Sequence, residues 1–314
     1  MNVMDWLDKC HFGDCRDTMR SMIADGVKIQ TVITSPPYYG LRDYGHPGQL
    51  GLEETPNAYV AAMVDVFRCV RDVLADDGTL WLNVGDSYAG ARSSGGTTAS
   101  RRRDDAPIPR SDRRLPGIKP KDLIGIPWML AFALRADGWY LRSDIIWSKG
   151  NPMPESVTDR PTKSHEYLFL LTKSERYYYD HEAIKEASVS DHPSGNGFKR
   201  DGRLSYQDEN GARGNDEQWA DVGGLRNRRS VWSINTKPYS GAHFAVFPEE
   251  LVEPCVMAGS RVSDIVFDPF FGSGTTGQVA QRLGRRFIGC ELNRGYEPLQ
   301  RDRLKQPGLI LETN

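Results

Sequence analysis

Residues 263–293, SDIVFDPFFGSGTTGQVAQRLGRRFIGCELN, leave the chain few ways to fold. A short apolar run ends at Phe267, and Gly272, Gly274 and Gly277 follow in G-x-G-x-x-G spacing. An amphipathic stretch leads to a second apolar run, closed by the acid Glu291. Strand, glycine loop, helix, strand and acid in that order make one βαβ unit with a cradle for an adenosine-bearing cofactor. The glycines let backbone approach the ligand, and a carboxylate can accept hydrogen bonds from both ribose hydroxyls.

The loop lacks the Gly-Lys-Ser/Thr ending that grips a nucleoside triphosphate. An NAD fold opens with this loop and continues through a second mononucleotide half, whereas here about twenty residues follow Glu291. Asp268, just before the glycines, suits a ligand ammonium better than a pyrophosphate. S-adenosylmethionine is therefore expected over NAD, and a nicotinamide oxidoreductase is the remote alternative.

Upstream, the run VKIQTVI meets TSPPYYGLRDYG at residues 34–45. Two prolines cannot donate ladder hydrogen bonds, so a buried strand stops there. A proline turn or a polyproline ligand is the plain reading, but it does not explain why the segment caps a strand. Thr55 and Pro56 open a helix whose Val60, Met63, Val64, Phe67, Val70 and Leu74 share one face; Gly78 is expected to close it, before a strand at TLWLNVG. Residues 140–149 read as a further strand, HEYLFLLTKS and the aromatic RYYYD after it are expected to form an antiparallel pair at one side of the sheet, and FPEELVEPCVMAGS reads as a helix. The alternation implies an α/β fold.

Two spans interrupt it. Residues 90–118 form a long Gly/Ser/Arg-rich loop, and residues 181–230 carry too few apolar side chains to build a core. The expected division is 1–180, 181–230 as a polar insertion, and 231–314. Although the net charge is −2, residues 101–114 hold six arginines against three aspartates and LRNRRS adds three more. Such runs fit a polyanion at one face, or are merely solvated. The five scattered cysteines fit reduced thiols and no metal site, and no apolar stretch spans a bilayer, so a cytoplasmic protein without a membrane partner is expected.

TSPPYY and DPFFGSGTTG together, in that order, resemble the amino-methylating DNA methyltransferases, the N4-cytosine/N6-adenine family in its β arrangement. The resemblance spans nearly the whole chain outside the two interruptions. It implies a doubly wound, mainly parallel Rossmann-like sheet of about seven strands with DNA-binding insertions, S-adenosyl-L-methionine as cofactor and double-stranded DNA as substrate. It further implies a monomer or homodimer that either accompanies a cognate restriction endonuclease or works without one, as an orphan or phage enzyme.

Residue by residue, Ser35, Pro36, Pro37 and Tyr38 match the catalytic motif, with Asp86 after the next strand as a candidate proton acceptor or, equally, a turn or helix cap. Asp268, Phe270, Gly272, Ser273, Gly274 and Thr275 match the cofactor loop, and Glu291 the ribose acid. Phe247 and Pro248 in HFAVFP match the segment near the methionine end, and Asp14 in FGDC the acid near the adenine. Trp147, Lys149, Asn151, Arg160 and Glu166 resemble a family segment lining the target-base side, with catalysis and architecture not separated there. DNA contacts are expected from Arg101, Arg102, Arg103, Arg113, Arg114, Arg226 and Arg228, and from Arg42, which could equally pair with Asp43. Ser rather than Asp at position 35 resembles the N4-cytosine branch, with N6-adenine the alternative.

Overall fold

In a computed structural model, the described residues are 2–41, 43, 45–90, 115, 117–152, 154–187, 225–236 and 248–305. The chain divides into two compact units, Met1–Asp180 with Ser230–Asn314, and His181–Arg229.

The larger unit is an α/β fold around one eight-stranded sheet. In chain order its elements are β1 (Lys9–Phe12), α1 (Cys15–Ala24), β2 (Ile29–Thr34), α2 (Pro56–Val73), β3 (Leu74–Val84), α3 (Ile126–Ala136), β4 (Tyr140–Ser148) and β5 (His165–Thr172). After β6 (Glu186–Ala187) and β7 (Leu225–Arg226), which belong to the smaller unit, come β8 (Val231–Ser233), α4 (Glu249–Gly259), β9 (Ile265–Asp268), α5 (Thr275–Arg282), β10 (Arg286–Glu291) and α6 (Glu297–Leu304). The strand order is β1-β10-β9-β2-β3-β5-β4-β8. All neighbours pair in parallel except β3 with β5 and β5 with β4; HEYLFLLTKS thus finds its antiparallel partners in β3 and β4 and not in RYYYD, which forms no strand, and β8 is added beyond β4.

Helix α2 shows how the sequence builds this core. The Thr55 side chain accepts from Ala58 N, Pro56 occupies the first turn where its missing N–H costs nothing, and Tyr59, Met63, Phe67 and Val70 are fully buried. Each such side chain contributes about 1.5–3 kcal/mol on burial. The helix ends earlier than expected, at Val73, and β3 starts at once with Leu74. Gly78 lies inside that strand, where an added Cβ would stand 2.6 Å from Leu74 Cγ and 2.9 Å from the Gln30 carbonyl. It is a close-approach glycine, not a helix stop.

Helices α1, α2 and α3 pack together over one core cluster with Val32, Leu80 and Phe169 of the sheet. The buried residues of α4 and α5, such as Val252, Val256 and Val279, lie outside that cluster, with α4 against β2 and α5 against β9. No helix among the described residues is long and apolar enough to cross a membrane. In the smaller unit β6 and β7 form a two-residue antiparallel ladder, and Arg226 Nε and Arg229 Nε both pair with Glu186 Oε1, at 3.0 and 2.7 Å.

Candidate active site

Strands β2 and β9 lie side by side and parallel, so the segments leaving their carboxyl ends emerge together, where the direction of strand addition reverses. β2 ends at Thr34 and releases Ser35-Pro36-Pro37-Tyr38; β9 ends at Asp268 and releases the glycine loop. Both segments line one cavity of about 380 Å³.

Asp268 differs from its expected placement. Its carboxylate is completely buried and absent from the cavity wall, accepting from Thr34 Oγ1 at 2.6 Å, Thr276 Oγ1 at 2.7 Å and Phe270 N at 3.0 Å. Burial pushes it up to about 6, against the pull of these hydrogen bonds. It ties the two segments together instead of facing a ligand ammonium.

In the loop, Gly272 and Gly274 have φ of +52° and +92°, a region that disfavours side chains. Gly277 answers to packing, since an added Cβ would meet the Phe271 ring at 2.6 Å. Glu291, at the end of β10, accepts from Gly272 N and Asn293 N, each at 2.8 Å, and lines the cavity; burial pushes its carboxyl above the usual range. Ser273 Oγ is buried in the wall with no hydrogen-bond partner among the described residues, and Phe270 and Thr275 also line it, the Thr275 hydroxyl taking a hydrogen bond from Arg303. Asp14 caps α1 through Arg16 N at 2.8 Å and lines the same end; Arg16 holds its carboxyl below the usual range. An orphaned buried hydroxyl, two positive-φ glycines and a strand-end acid fit a nucleoside bearing polar groups. Pro248 caps α4 outside this wall, and Phe247 lies outside the described residues.

The other end of the cavity is a hydrogen-bonded network. Ser35 Oγ is 3.1 Å from Asn83 Oδ1, and Tyr38 OH is 2.6 Å from Glu166 Oε2 and 3.1 Å from Asn83 Oδ1. Asn83 Nδ2 donates to the Tyr167 carbonyl at 3.1 Å and to Glu166 Oε2 at 3.3 Å. Lys149 pairs with Glu166 Oε1, its ammonium 4.3 Å from the Trp147 ring centroid. The Tyr38 ring rests on Gly85, where an added Cβ would stand 2.6 Å from Cε2, and burial beside Glu166 pushes its hydroxyl well up. Tyr59 OH donates to the Pro37 carbonyl at 2.9 Å. No donor among the described residues reaches the Pro36 carbonyl, which adjoins Ser35 in the wall.

Asp86 also departs from its catalytic expectation. Its carboxylate accepts from Ser87 N at 2.9 Å, Gly125 N at 3.0 Å and Ile126 N at 3.1 Å, closing the N-terminus of α3 outside the cavity wall. Asn151 is bonded to Thr236, and Arg160 to Glu155 with its guanidinium 3.8 Å from the Tyr88 ring centroid. Arg42, Arg101, Arg102, Arg103, Arg113 and Arg114 lie outside the described residues; Arg226 and Arg228 belong to the smaller unit. Asn83, Thr34 and Thr276 are functional-site residues that the motifs do not mark. A single buried amide inside the apolar strand TLWLNVG was the available signal for the first.

Residues 29–301 match the family model described as DNA methylase, of the N6/N4 methyltransferases. The Type II methyltransferase M.SmaI of Serratia marcescens is 51% identical over 93% of this chain and 89% of that protein; M.Cfr9I of Citrobacter freundii is 46% identical over 93% and 86%. Among solved structures, the PvuII DNA methyltransferase (cytosine-N4-specific) superposes with a TM-score of 0.63 at 18% identity, covering 96% of this chain and 87% of that one. A candidate DNA modification methylase from Thermus thermophilus, complexed with S-adenosyl-L-methionine, gives 0.57 at 23%, covering 96% and 95%. At these identities the structures speak to the fold, a methyltransferase sheet.

Proposed function

The chain belongs to the N6/N4 DNA methylase family, and from that premise we propose that this DNA methyltransferase acts on the exocyclic N4 amine of a cytosine turned out of the duplex. The observation that carries the reading is that Ser35, Pro36 and the glycine loop line one cavity, with no donor among the described residues on the Pro36 carbonyl.

The cofactor is S-adenosylmethionine. Gly272, Ser273 and Glu291 would hold it, Glu291 at the ribose, with Asp14 near the adenine and Ser273 supplying its spare hydroxyl, while Gly274 stands behind the wall at the start of α5. When bound it would supply an electrophilic methyl group to the amine, which would give up one proton to solvent on being methylated.

The protein's own work is aiming. The amine lone pair is delocalised into the ring, so both N–H groups must be held while the nitrogen turns out of plane. Ser35 Oγ and the Pro36 carbonyl accept one N–H each, and the proline ring fixes that carbonyl's direction in advance. The Tyr38 ring, held by Gly85 behind it and by Glu166 at its hydroxyl, offers a flat wall for the base. Stacking of this kind is worth about 1–3 kcal/mol and offsets part of the few kcal/mol that flipping costs.

We assign DNA reading to the arginine-rich loop 90–118 and to the His181–Arg229 unit, with phosphate contact and arginine-to-guanine pairing as their modes. N4 of cytosine faces the major groove, so a methyl group there blocks an endonuclease reading that edge; a modification role in a restriction–modification pair follows. Expression in a methylation-deficient host with mass spectrometry of digested DNA tests the reading. N4-methylcytosine supports it, N6-methyladenine replaces it by the adenine alternative, and neither product overturns it.

A further inference from the structure

Asn83 is 1% exposed within a strand of apolar neighbours, and the mechanism above gives it no task. We infer that Asn83 is a positioning residue for methyl transfer, orienting the Ser35 hydroxyl so that only its oxygen lone pairs face the target amine; this rests on the amino-methylation reading.

The direction follows from counting hydrogens. One end of the amide lies 3.1 Å from the Tyr167 carbonyl and 3.3 Å from Glu166 Oε2. The carbonyl can only accept, and the Glu166 carboxylate, paired with Lys149, can only accept as well. The amide nitrogen must point there, since the reverse orientation would set its oxygen against two acceptors. Oδ1 therefore faces the hydroxyls of Ser35 and Tyr38. It carries no hydrogen, so Ser35, at 3.1 Å, donates to it, with the Tyr38 hydroxyl as the second oxygen within reach of the same hydrogen. The single hydrogen of Tyr38 goes to the nearer carboxylate at 2.6 Å.

With its hydrogen committed, Ser35 can only accept from a ligand, and an amine N–H is the donor that completes it. A freely turning hydroxyl could instead donate to the amine nitrogen. That would occupy the lone pair that must attack the methyl group. A backbone carbonyl of β5 thus sets, through one amide, the polarity of a hydroxyl on the segment after β2.

The test compares wild type with Asn83→Leu, Asn83→Asp and Ser35→Ala, singly and with Asn83→Leu combined with Ser35→Ala, on a methylatable oligonucleotide duplex. Asn83→Leu should lower kcat about 10- to 100-fold with S-adenosylmethionine affinity unchanged. In the Ser35→Ala background it should cost less than about twofold further, because nothing is left to orient. Asn83→Asp preserves shape should the leucine variant fail to fold. Its new carboxyl meets the Tyr167 carbonyl and the Glu166 carboxylate on one side and the Ser35 and Tyr38 hydroxyls on the other, with Lys149 beyond Glu166. Only the protonated form can donate to the Tyr167 and Glu166 side, with one hydrogen where the amide has two, so its turnover relative to wild type should rise as pH falls. Unchanged kcat in Asn83→Leu, multiplicative losses in the double variant, or an Asn83→Asp profile parallel to wild type would overturn the inference. A wild type that methylates no DNA amine overturns the functional reading instead.

Discussion

Thr34 Oγ1 donates to Asp268 Oδ1 across 2.6 Å, joining residues 234 positions apart. They end the adjacent parallel strands β2 and β9, so this bond couples the segment that carries Ser35 to the loop that carries Gly272, and Thr276 extends the clamp into α5. The clamp holds a charge in a dry place. Because burial raises Asp268 from its ordinary 3.8 to about 6, the folded protein keeps a proton over a range where the unfolded chain releases it. Stability from this group is therefore full below about pH 4 and lost as pH rises through 6, where the ionised carboxylate opposes folding by about 3 kcal/mol. Asp268→Asn removes the titration while its oxygen still accepts from Thr34 and Phe270. Urea midpoints should show the variant gaining on wild type between pH 4 and 7, and a difference independent of pH would refute this account.

Ser35→Ala removes one of two acceptors proposed for the amine and leaves the glycine loop untouched. Turnover should fall about 100-fold or more, while calorimetric affinity for S-adenosylmethionine stays within about twofold, since Ser35 makes no hydrogen bond to that loop among the described residues. Near-normal turnover would take Ser35 out of the mechanism.

The parts legible in the sequence were those fixed by neighbours in the chain. The unit from β9 through the glycine loop to β10 shows itself because positive-φ glycines, an amphipathic helix and a strand-ending acid fall within thirty-one residues, 263–293. Strands β4 and β5 show themselves through their apolar runs, although their pairing with each other does not. What was not legible depends on partners far along the chain. Asp268 turned to Thr34 and Thr276 instead of a ligand, and Tyr38 found Glu166 128 positions away. Nothing local marks such pairs. The end of α2 was misplaced because Gly78 looks like a stop, although what demands glycine there is the closeness of Leu74 and the Gln30 carbonyl.

Asp86→Ala separates capping from catalysis. The carboxylate closes the N-terminus of α3, whose Gly125 offers no side-chain cap of its own. Removing it should cost about 0.5–2 kcal/mol of stability, seen as a lowered Tm. Turnover per folded molecule should stay within about threefold of wild type, since the group stands outside the cavity wall. A hundredfold loss at unchanged Tm would return Asp86 to the reaction.

Gly85→Ala drives a methyl group to 2.6 Å from Tyr38 Cε2, so the ring must move. Overpacking of this kind costs about 1–3 kcal/mol, and here the displaced ring is the wall offered to the base. KM for a duplex should rise more than the affinity for S-adenosylmethionine falls. Duplexes with a mismatched target, cheaper to flip, should recover part of the loss. Equal losses for matched and mismatched duplexes would show that the Tyr38 ring is not what holds the base.

Glu166 joins the two halves of the network, one oxygen on Lys149 and the other on Tyr38 and Asn83. Both members of the ion pair are largely buried, at 15% and 18% side-chain exposure, so each stands mostly out of water against the other. Glu166→Gln leaves the Lys149 ammonium with only the Trp147 ring as a partner among the described residues, and should destabilise the fold by about 3–5 kcal/mol. Lys149→Met alone strands the carboxylate and should cost a similar amount. Combined, the two substitutions leave no buried charge, so the double variant should be more stable than either single one, a coupling that urea denaturation of all four proteins measures directly. Losses that simply add would mean the pair is solvated enough for neither charge to need the other. In the double variant Tyr38 and Asn83 still meet an acceptor, the side-chain carbonyl that Glu166→Gln introduces, so recovered stability without recovered turnover would assign the charge itself, and not the packing, to catalysis.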